Sequence, residues 1–477
     1  MLPLSSAHRA AAGLLALVAV TMGASCGRGE PPAEPLQGIV LIGVDTLRAD
    51  GLGSYGNPRP TSPHLDALAA RGVLFENAVS NASWTLPGFI TLLSGEHPTA
   101  RVYRGKLKRS GVERLQQAGF RTAGFSEGAY VSRQFGMDLG FDTFWEETAP
   151  VILAPGPEVG VAKTFAKAEA WLRENSSERF FLFVHTYEPH VPYQRLGFGE
   201  GLDPGVFGGV FDRKQNDLAL KRRVEVGEVE REWVRALYDG GVLEADRAVG
   251  GLLAVLEELG VSDRTLVVVT SDHGEQLGEH RPEDLGLHGQ TLWDTILHVP
   301  LIVHDPRRGE VGRRVATQVR AVDVMPTILE LAGLAPEVPT EPASESNAPR
   351  EPMVLDGRSL VPILDGAEDD DRLAFSELRD GKDGRLKAAT LRTRTHKVHL
   401  NAPGTNRPAL QFFTLEDDSG EQHDQAHESI RERARLHGEL QKQVAEVERR
   451  GPPWGRNKSV PANLRRRLES LGYLGEE

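Results

Sequence analysis

The chain has 477 residues, 39% of them hydrophobic and 26% charged, and a formal net charge of −13 at pH 7. This length exceeds one small core and suits a large α/β domain with a smaller companion. The acidic balance argues against nucleic acid as a partner, since phosphate backbones are met by basic stripes. The single cysteine, Cys26, rules out a disulfide within the chain.

The first 26 residues form a separate object. His8 and Arg9 precede the apolar run "AAAGLLALVAV", and the small residues "GAS" lead to Cys26. A charged start, a short apolar core and a small-residue region read as an export signal, and the run is too short to span a bilayer. Gly23, Ala24 and Ser25 before Cys26 resemble a bacterial lipobox. That likeness implies lipidation of Cys26, and hence a protein anchored in the periplasm or at the cell surface. Residues 27–37 are a polar, Pro-rich tether. The apolar run "GIVLIGVDT" (38–46) then predicts a buried parallel strand ending on Asp45. "TSPHLDALAARG" (61–72) predicts a helix with Ser62 as cap, Pro63 in its first turn and Gly72 as its stop. "PGFITLLSG" (87–95) predicts a short apolar helix with Thr85 as a good N-cap. A helix at 111–119 and a strand at 120–126 follow, then the strand "RFFLFVH" (179–185). A long helix is predicted over 230–260, its stripe formed by Ala236, Leu243, Val249, Leu252, Leu253 and Leu256. "RTLVVVTSDHGE" (264–275) is a strand ending on Asp272 and His273, "VPLIVHDP" (299–306) is another, and "VDVMPTILELAG" (322–333) is a helix. Beyond a polar insertion, "LKAATLRTRTHKVHL" and "ALQFFTLED" alternate like antiparallel strands, and residues 425–450 form a charged helix. The expected divisions are 1–26, the 27–37 tether, a catalytic domain at 38–338, an insertion at 339–353, a C-terminal subdomain at 354–450 and a charged tail at 451–477.

Strands alternating with helices imply a doubly wound, mostly parallel sheet with a small C-terminal antiparallel sheet plus helix. In such sheets ligands bind beyond the carboxyl ends of the strands. Asp45, His185, His190, Asp272 and His273 all fall just after predicted strands. Asp45, Asp272 and His273 can hold one divalent cation, with zinc or manganese ahead of calcium for mixed O/N donors. A hydroxyl at the start of a helix, such as that of Thr85, sits where an anion is attracted, and a nearby cation would make it a nucleophile. His190 in "YEPHVPY" and His288 in "GLHGQTLWD" are placed to donate to an ester oxygen or protonate a leaving group. His185, His280 and His298 read as structural.

The ordered series "VDTLRADGLGSYG", "SWTLPGFITLLSG", "FFLFVHTYEPHVPY", "VVVTSDHGEQLGEH", "HVPLIVHDP", "VDVMPTILELAG", "LDGRSLVPIL" and "FFTLEDDSGEQHD" resembles the sulfatase family of the alkaline phosphatase superfamily, from about Gly38 to about Asp424. The resemblance implies a metal-dependent hydrolase of sulfate or phosphate esters acting on an anionic small molecule or glycan. Asp45, Asp272 and His273 match the family's metal ligands, and His190 and His288 match positions that touch the ester. Related phosphoester enzymes with a Thr nucleophile would also use Thr85 as a metal ligand. The family's C-x-P-S-R motif, whose Cys or Ser becomes formylglycine, is replaced by Thr85-Leu86-Pro87-Gly88-Phe89. Phe89 stands in place of its Arg, Asp45-Thr46 in place of an acidic pair, and "GFSEGAYVS" lacks its Lys-x-His. Two-metal relatives use an Asp followed four residues later by His; the match here is Asp246 with Gly250, which implies one metal. An envelope phospho-group transferase and a non-catalytic binding protein on the same scaffold are the alternatives.

Overall fold

The apolar run that follows the tether is strand β1 (Gly38–Val44), buried along its whole length. A strand covered on both faces has no polar side, which is why it reads as unbroken hydrophobicity. In this computed structural model the described residues are 35–98, 105–148, 160–193, 195–209, 211, 212, 218, 219, 221, 223–309, 311–334, 355–367, 370–380, 384–403, 407–427 and 429–450. The export segment with Cys26, most of the tether, the 339–353 insertion and the 451–477 tail lie outside them.

Chain order continues with helix α1 (Pro63–Arg71), strand β2 (Val73–Phe75), helices α2 (Thr85–Ser94) and α3 (Gly111–Gln117) and strands β3 (Arg121–Ser126) and β4 (Thr143–Glu146). Helix α4 (Gly160–Asn175), strand β5 (Phe180–Thr186), helix α5 (Glu228–Glu258) and strand β6 (Thr265–Thr270) come next. The short helix α6 (Asp294–Leu297), strands β7 (Leu301–His304) and β8 (Arg313–Val315) and helix α7 (Val324–Leu331) complete this part. The eight strands form one sheet in the order β8-β2-β7-β6-β1-β5-β3-β4. Only β7 runs against its neighbours. β1 is therefore central and pairs in parallel with β5 and β6.

Alternate residues of β1 serve two cores. Ile39 and Leu41 join Phe89 of α2, Leu115 of α3 and Ile328 of α7 on one face. Val40, Ile42 and Val44 join Leu65 of α1, Phe165 of α4 and Trp233 of α5 on the other. Strands β9 (Ala374–Arg379), β10 (Leu386–Arg392), β11 (His396–Asn401) and β12 (Leu410–Thr414) form a separate antiparallel sheet in that order. Helix α8 (Ile430–Arg450) covers one of its faces with Leu436, Leu440 and Val447. The other face meets the large sheet's loops, where Ala374, Leu378 and Ala388 pack on Val79, Leu292, Ile296 and Leu297. No described helix is long and apolar enough to cross a membrane.

Several local expectations change. Strands β2, β4, β8 and β9 and helices α4 and α6 were not foreseen. β4 is a four-residue edge strand, and β9 buries Ser376, Glu377 and Arg379, which erases its alternation. In α5 the buried stripe is carried by Trp233, Leu237, Val242, Ala245 and Val255 beside Ala236, Val249, Leu252 and Leu256, while Leu243 and Leu253 are only partly buried. Ser62 does not cap α1. Its hydroxyl donates to Asp66 Oδ1 (3.0 Å) and accepts from the Gly53 N–H (2.8 Å). The cap is Asp246 of α5, whose carboxylate accepts the N–H groups of His64 (3.1 Å) and Leu65 (2.8 Å).

Candidate active site

β1, β5 and β6 end side by side, so the residues that follow them converge. Asp45 leaves β1, His185 lies in β5, and Asp272 and His273 follow β6. All four are completely buried. One donor atom each from Asp45, Asp272 and His273 lies within 4.8 Å of the others, the one such grouping among the described residues. Both Asp45 oxygens and Asp272 Oδ2 are buried without a geometrically sound hydrogen bond. Burial pushes the Asp45 carboxyl well above the carboxylate range, and the charges of Asp272 and Glu275 add to it, while the Thr85 hydroxyl works the other way. Burial also raises Asp272, against the N–H groups of its own backbone, His273 and Thr46. His273 is held well below the imidazole range by burial and by His288. Its Nδ1 donates to the Gly274 carbonyl (2.8 Å), which leaves the Nε2 lone pair for the site. Two carboxylates short of donors and a neutral imidazole in that tautomer fit a divalent cation.

Thr85 is not the cap of its helix. Trp84 occupies that position and Thr85 is the first helical residue, its Oγ1 3.4 Å from His273 Nε2. α2 can approach this closely because residue 88 is Gly: a Cβ there would stand 2.7 Å from Asp272 Cβ. Phe89 is a core residue, edge-on to Phe183 and to His185, with ring centroids 6.0 and 4.7 Å away. His190, His288 and His273 form a row, with ring centroids 4.8 Å apart for the first pair and 4.7 Å for the second. All the predicted site residues thus meet in one place.

Three participants were missed by sequence reasoning. Glu275 Oε1 accepts from His288 Nδ1 (2.6 Å), and its Oε2 accepts from the Tyr193 hydroxyl (2.9 Å). Burial alone would raise Glu275, yet the hydrogen bond and charge of His288 hold it below the ordinary value. Its signal was its place two residues after His273; the 13-residue gap to His288 gave none. His185, read as structural, has its Nε2 3.7 Å from Asp45 Oδ2. Thr46 adopts the left-handed conformation with φ 56°, at a cost of about 1–2 kcal/mol for a β-branched residue. The loop is pinned there by Tyr238, whose hydroxyl donates to the Thr46 carbonyl and accepts from the Arg48 N–H, both at 2.9 Å. Asp246 is occupied as the cap of α1, and Gly250 leaves room for the His64 ring.

Residues 37–334 match the sulfatase family model. The chain belongs to the sulfatase family. The ulvan-active sulfatase of Formosa agariphila is 27% identical over 338 residues, 64% of this chain. This chain spans about 63% of the length of that sulfatase. A protein solved with its substrate D-glucosamine-2-N,6-O-disulfate superimposes with a TM-score of 0.67 at 18% identity, covering 88% of this chain and 99% of the other. The phosphonate monoester hydrolase of Agrobacterium radiobacter gives 0.64 at 22% identity, covering 88% and 96%. Both share the sulfatase fold, the large mostly parallel sheet with a small antiparallel one. The present chain carries its candidate metal site at Asp45, Asp272 and His273.

Proposed function

We propose that this sulfatase-family protein hydrolyses anionic esters of sulfate, phosphate or phosphonate, with Thr85 as the nucleophile and one divalent ion held by Asp45, Asp272, His273 and the Thr85 oxygen. The observation that carries the reading is the Thr85 hydroxyl, 3.4 Å from His273 Nε2 beside two buried carboxylates. When bound, the ion supplies Lewis acidity that favours the Thr85 alkoxide and offsets negative charge on the ester. The N-terminus of α2 adds positive potential at the same point.

In a phosphoester reaction Thr85, its hydroxyl proton already lost to solvent water, forms a bond from Oγ1 to phosphorus while the bond to the leaving oxygen breaks, and the same alkoxide is restored at the end of the cycle. His288, oriented through Nδ1 by Glu275, delivers a proton from Nε2 to that oxygen. The ring, now neutral, takes a proton from water, which attacks phosphorus and releases Thr85. His190, neutral and with its Nδ1–H given to the Val191 carbonyl, keeps an Nε2 lone pair and accepts a hydrogen bond from the attacking water, its ring 4.8 Å from that of His288 between centroids. An alkoxide suits phosphorus; on sulfate it would leave a sulfo-threonine without the elimination route of a formylglycine hydrate. Membership of the sulfatase family weighs on the other side. The relatives' substrates support an anionic small molecule or glycan, and the N-terminal segment supports export with anchoring at Cys26.

The test is a parallel assay of aryl sulfate, phosphate monoester, phosphodiester and phosphonate with added zinc or manganese. Peptide mass spectrometry would look for a Thr85 adduct. Thr85→Ala is expected to abolish turnover and the adduct; a variant as active as the parent removes Thr85 from its role.

A further inference from the structure

Two strings of contacts run from the small C-terminal sheet to the backbone of Asp272-His273. The first starts in a buried ionic knot. Lys397 Nζ of β11 lies 2.7 Å from Asp294 Oδ1 and 2.9 Å from Glu421 Oε1. Arg392 Nε of β10 lies 2.9 Å from Asp294 Oδ2. The Asp294 N–H donates to Glu421 Oε2 at 2.5 Å. Lys397 and Glu421 are almost wholly buried, and Glu421 is held at a left-handed φ of 54°. Two cations and two anions balance here, and removing one partner would leave a buried charge uncompensated.

Asp294 opens the four-residue helix α6. Two residues on, the Ile296 carbonyl accepts the Gly274 N–H at 2.7 Å. A side chain at Gly274 would collide with the Thr295 carbonyl, so α6 lies directly on this glycine. The Gly274 carbonyl is the acceptor that fixes His273 Nδ1–H. The second string is shorter. Ser376 of β9 donates to the Ser80 carbonyl at 2.7 Å, and the Ser80 hydroxyl donates to the Asp272 carbonyl.

We propose that the C-terminal sheet is part of the metal site: through Asp294 and Ser376 it sets the backbone of Asp272-His273, and Asp294 is a positioning residue for the ion. The inference rests on the metal reading above. Orientation of a ligating His through its other nitrogen commonly changes metal affinity by about 10–100-fold.

The test uses the full chain and four proteins: parent, Asp294→Asn, Ser376→Ala and Leu440→Ala. The last weakens the packing under α8 and touches neither string. Zinc and manganese affinities are measured by chelator competition well below the unfolding temperature. Selective ¹⁵N-histidine NMR of the metal-free proteins reports the tautomer of His273. Asp294→Asn is expected to weaken binding about 10–100-fold and to release His273 from its Nδ1–H tautomer. Ser376→Ala should weaken it less, and Leu440→Ala should lower the melting temperature without changing affinity or tautomer. Parental affinity and tautomer in Asp294→Asn overturn the proposal, as does an equal loss in Leu440→Ala. A parent that binds no ion refutes the metal reading, while the His273 signal still decides the positioning role.

Discussion

Replacing Gly88 by Ala tests the closeness of α2 to the metal ligands. The new Cβ would stand 2.7 Å from Asp272 Cβ and 3.1 Å from the Asp272 carbonyl oxygen. Carbon atoms rest at about 3.5–4.0 Å, so about 1 Å must be found. α2 has little room to retreat, because Phe89 behind it already lies where a Cβ on Gly43 would be. Asp272 is held by the Ser80 hydroxyl at its carbonyl. The displacement therefore falls between Thr85 and Asp272. Ala in a helix interior gains about 0.5–1 kcal/mol over Gly, and overpacking costs about 1–3 kcal/mol. The net is a loss of about 1–2 kcal/mol. A shift of about 1 Å in a reacting group costs on the order of 10²-fold in rate. Gly88→Ala is thus expected to stay folded, with kcat reduced about 100-fold on the best ester substrate and a modestly lower melting temperature. Parental kcat in a folded Gly88→Ala protein would refute the account of how α2 carries Thr85.

Glu275→Gln should lower kcat by about 10²-fold, because His288 loses the carboxylate that orients it. Glu275 is held below the ordinary carboxylate range, so its contribution to stability is present above the unfolded value of about 4.3 and fades as pH falls through the lower folded value. Denaturation curves of parent and Glu275→Gln should accordingly differ at neutral pH and converge in acid. Burial, reinforced by His288, lowers His190 to about 4. Between that value and about 6.5 the unfolded chain binds the proton that the folded chain refuses, so stability rises with pH by up to about 1.4 kcal/mol per unit. His190→Gln should lose this slope in urea titrations across pH 4–6.5. Asp246→Ala should cost about 0.5–2 kcal/mol as a lost helix cap and leave metal stoichiometry unchanged. Elemental analysis finding two tightly bound ions in the parent, and one in this variant, would contradict the capping role.

The large sheet was legible because its strands are buried on both faces, so "GIVLIGV" and "TLVVVT" announce themselves without long-range information. The rule that ligands gather beyond strand ends then brought Asp45, Asp272 and His273 together before any distance was known. Thr85 was legible as a helix start and misread as its cap, since one residue of register separates the two positions and no local pattern fixes it. Glu275, His185 and Thr46 were decided only by tertiary structure. Glu275 acts through a contact 13 residues away, His185 through the parallel pairing of β1 and β5, and Thr46 through a backbone angle pinned by Tyr238 from α5. The same holds for Asp246, whose partners His64 and Leu65 lie about 180 residues earlier. Periodicity records which side of an element is buried. It carries no record of which distant donor a buried carboxylate meets, because that depends on how separate elements dock.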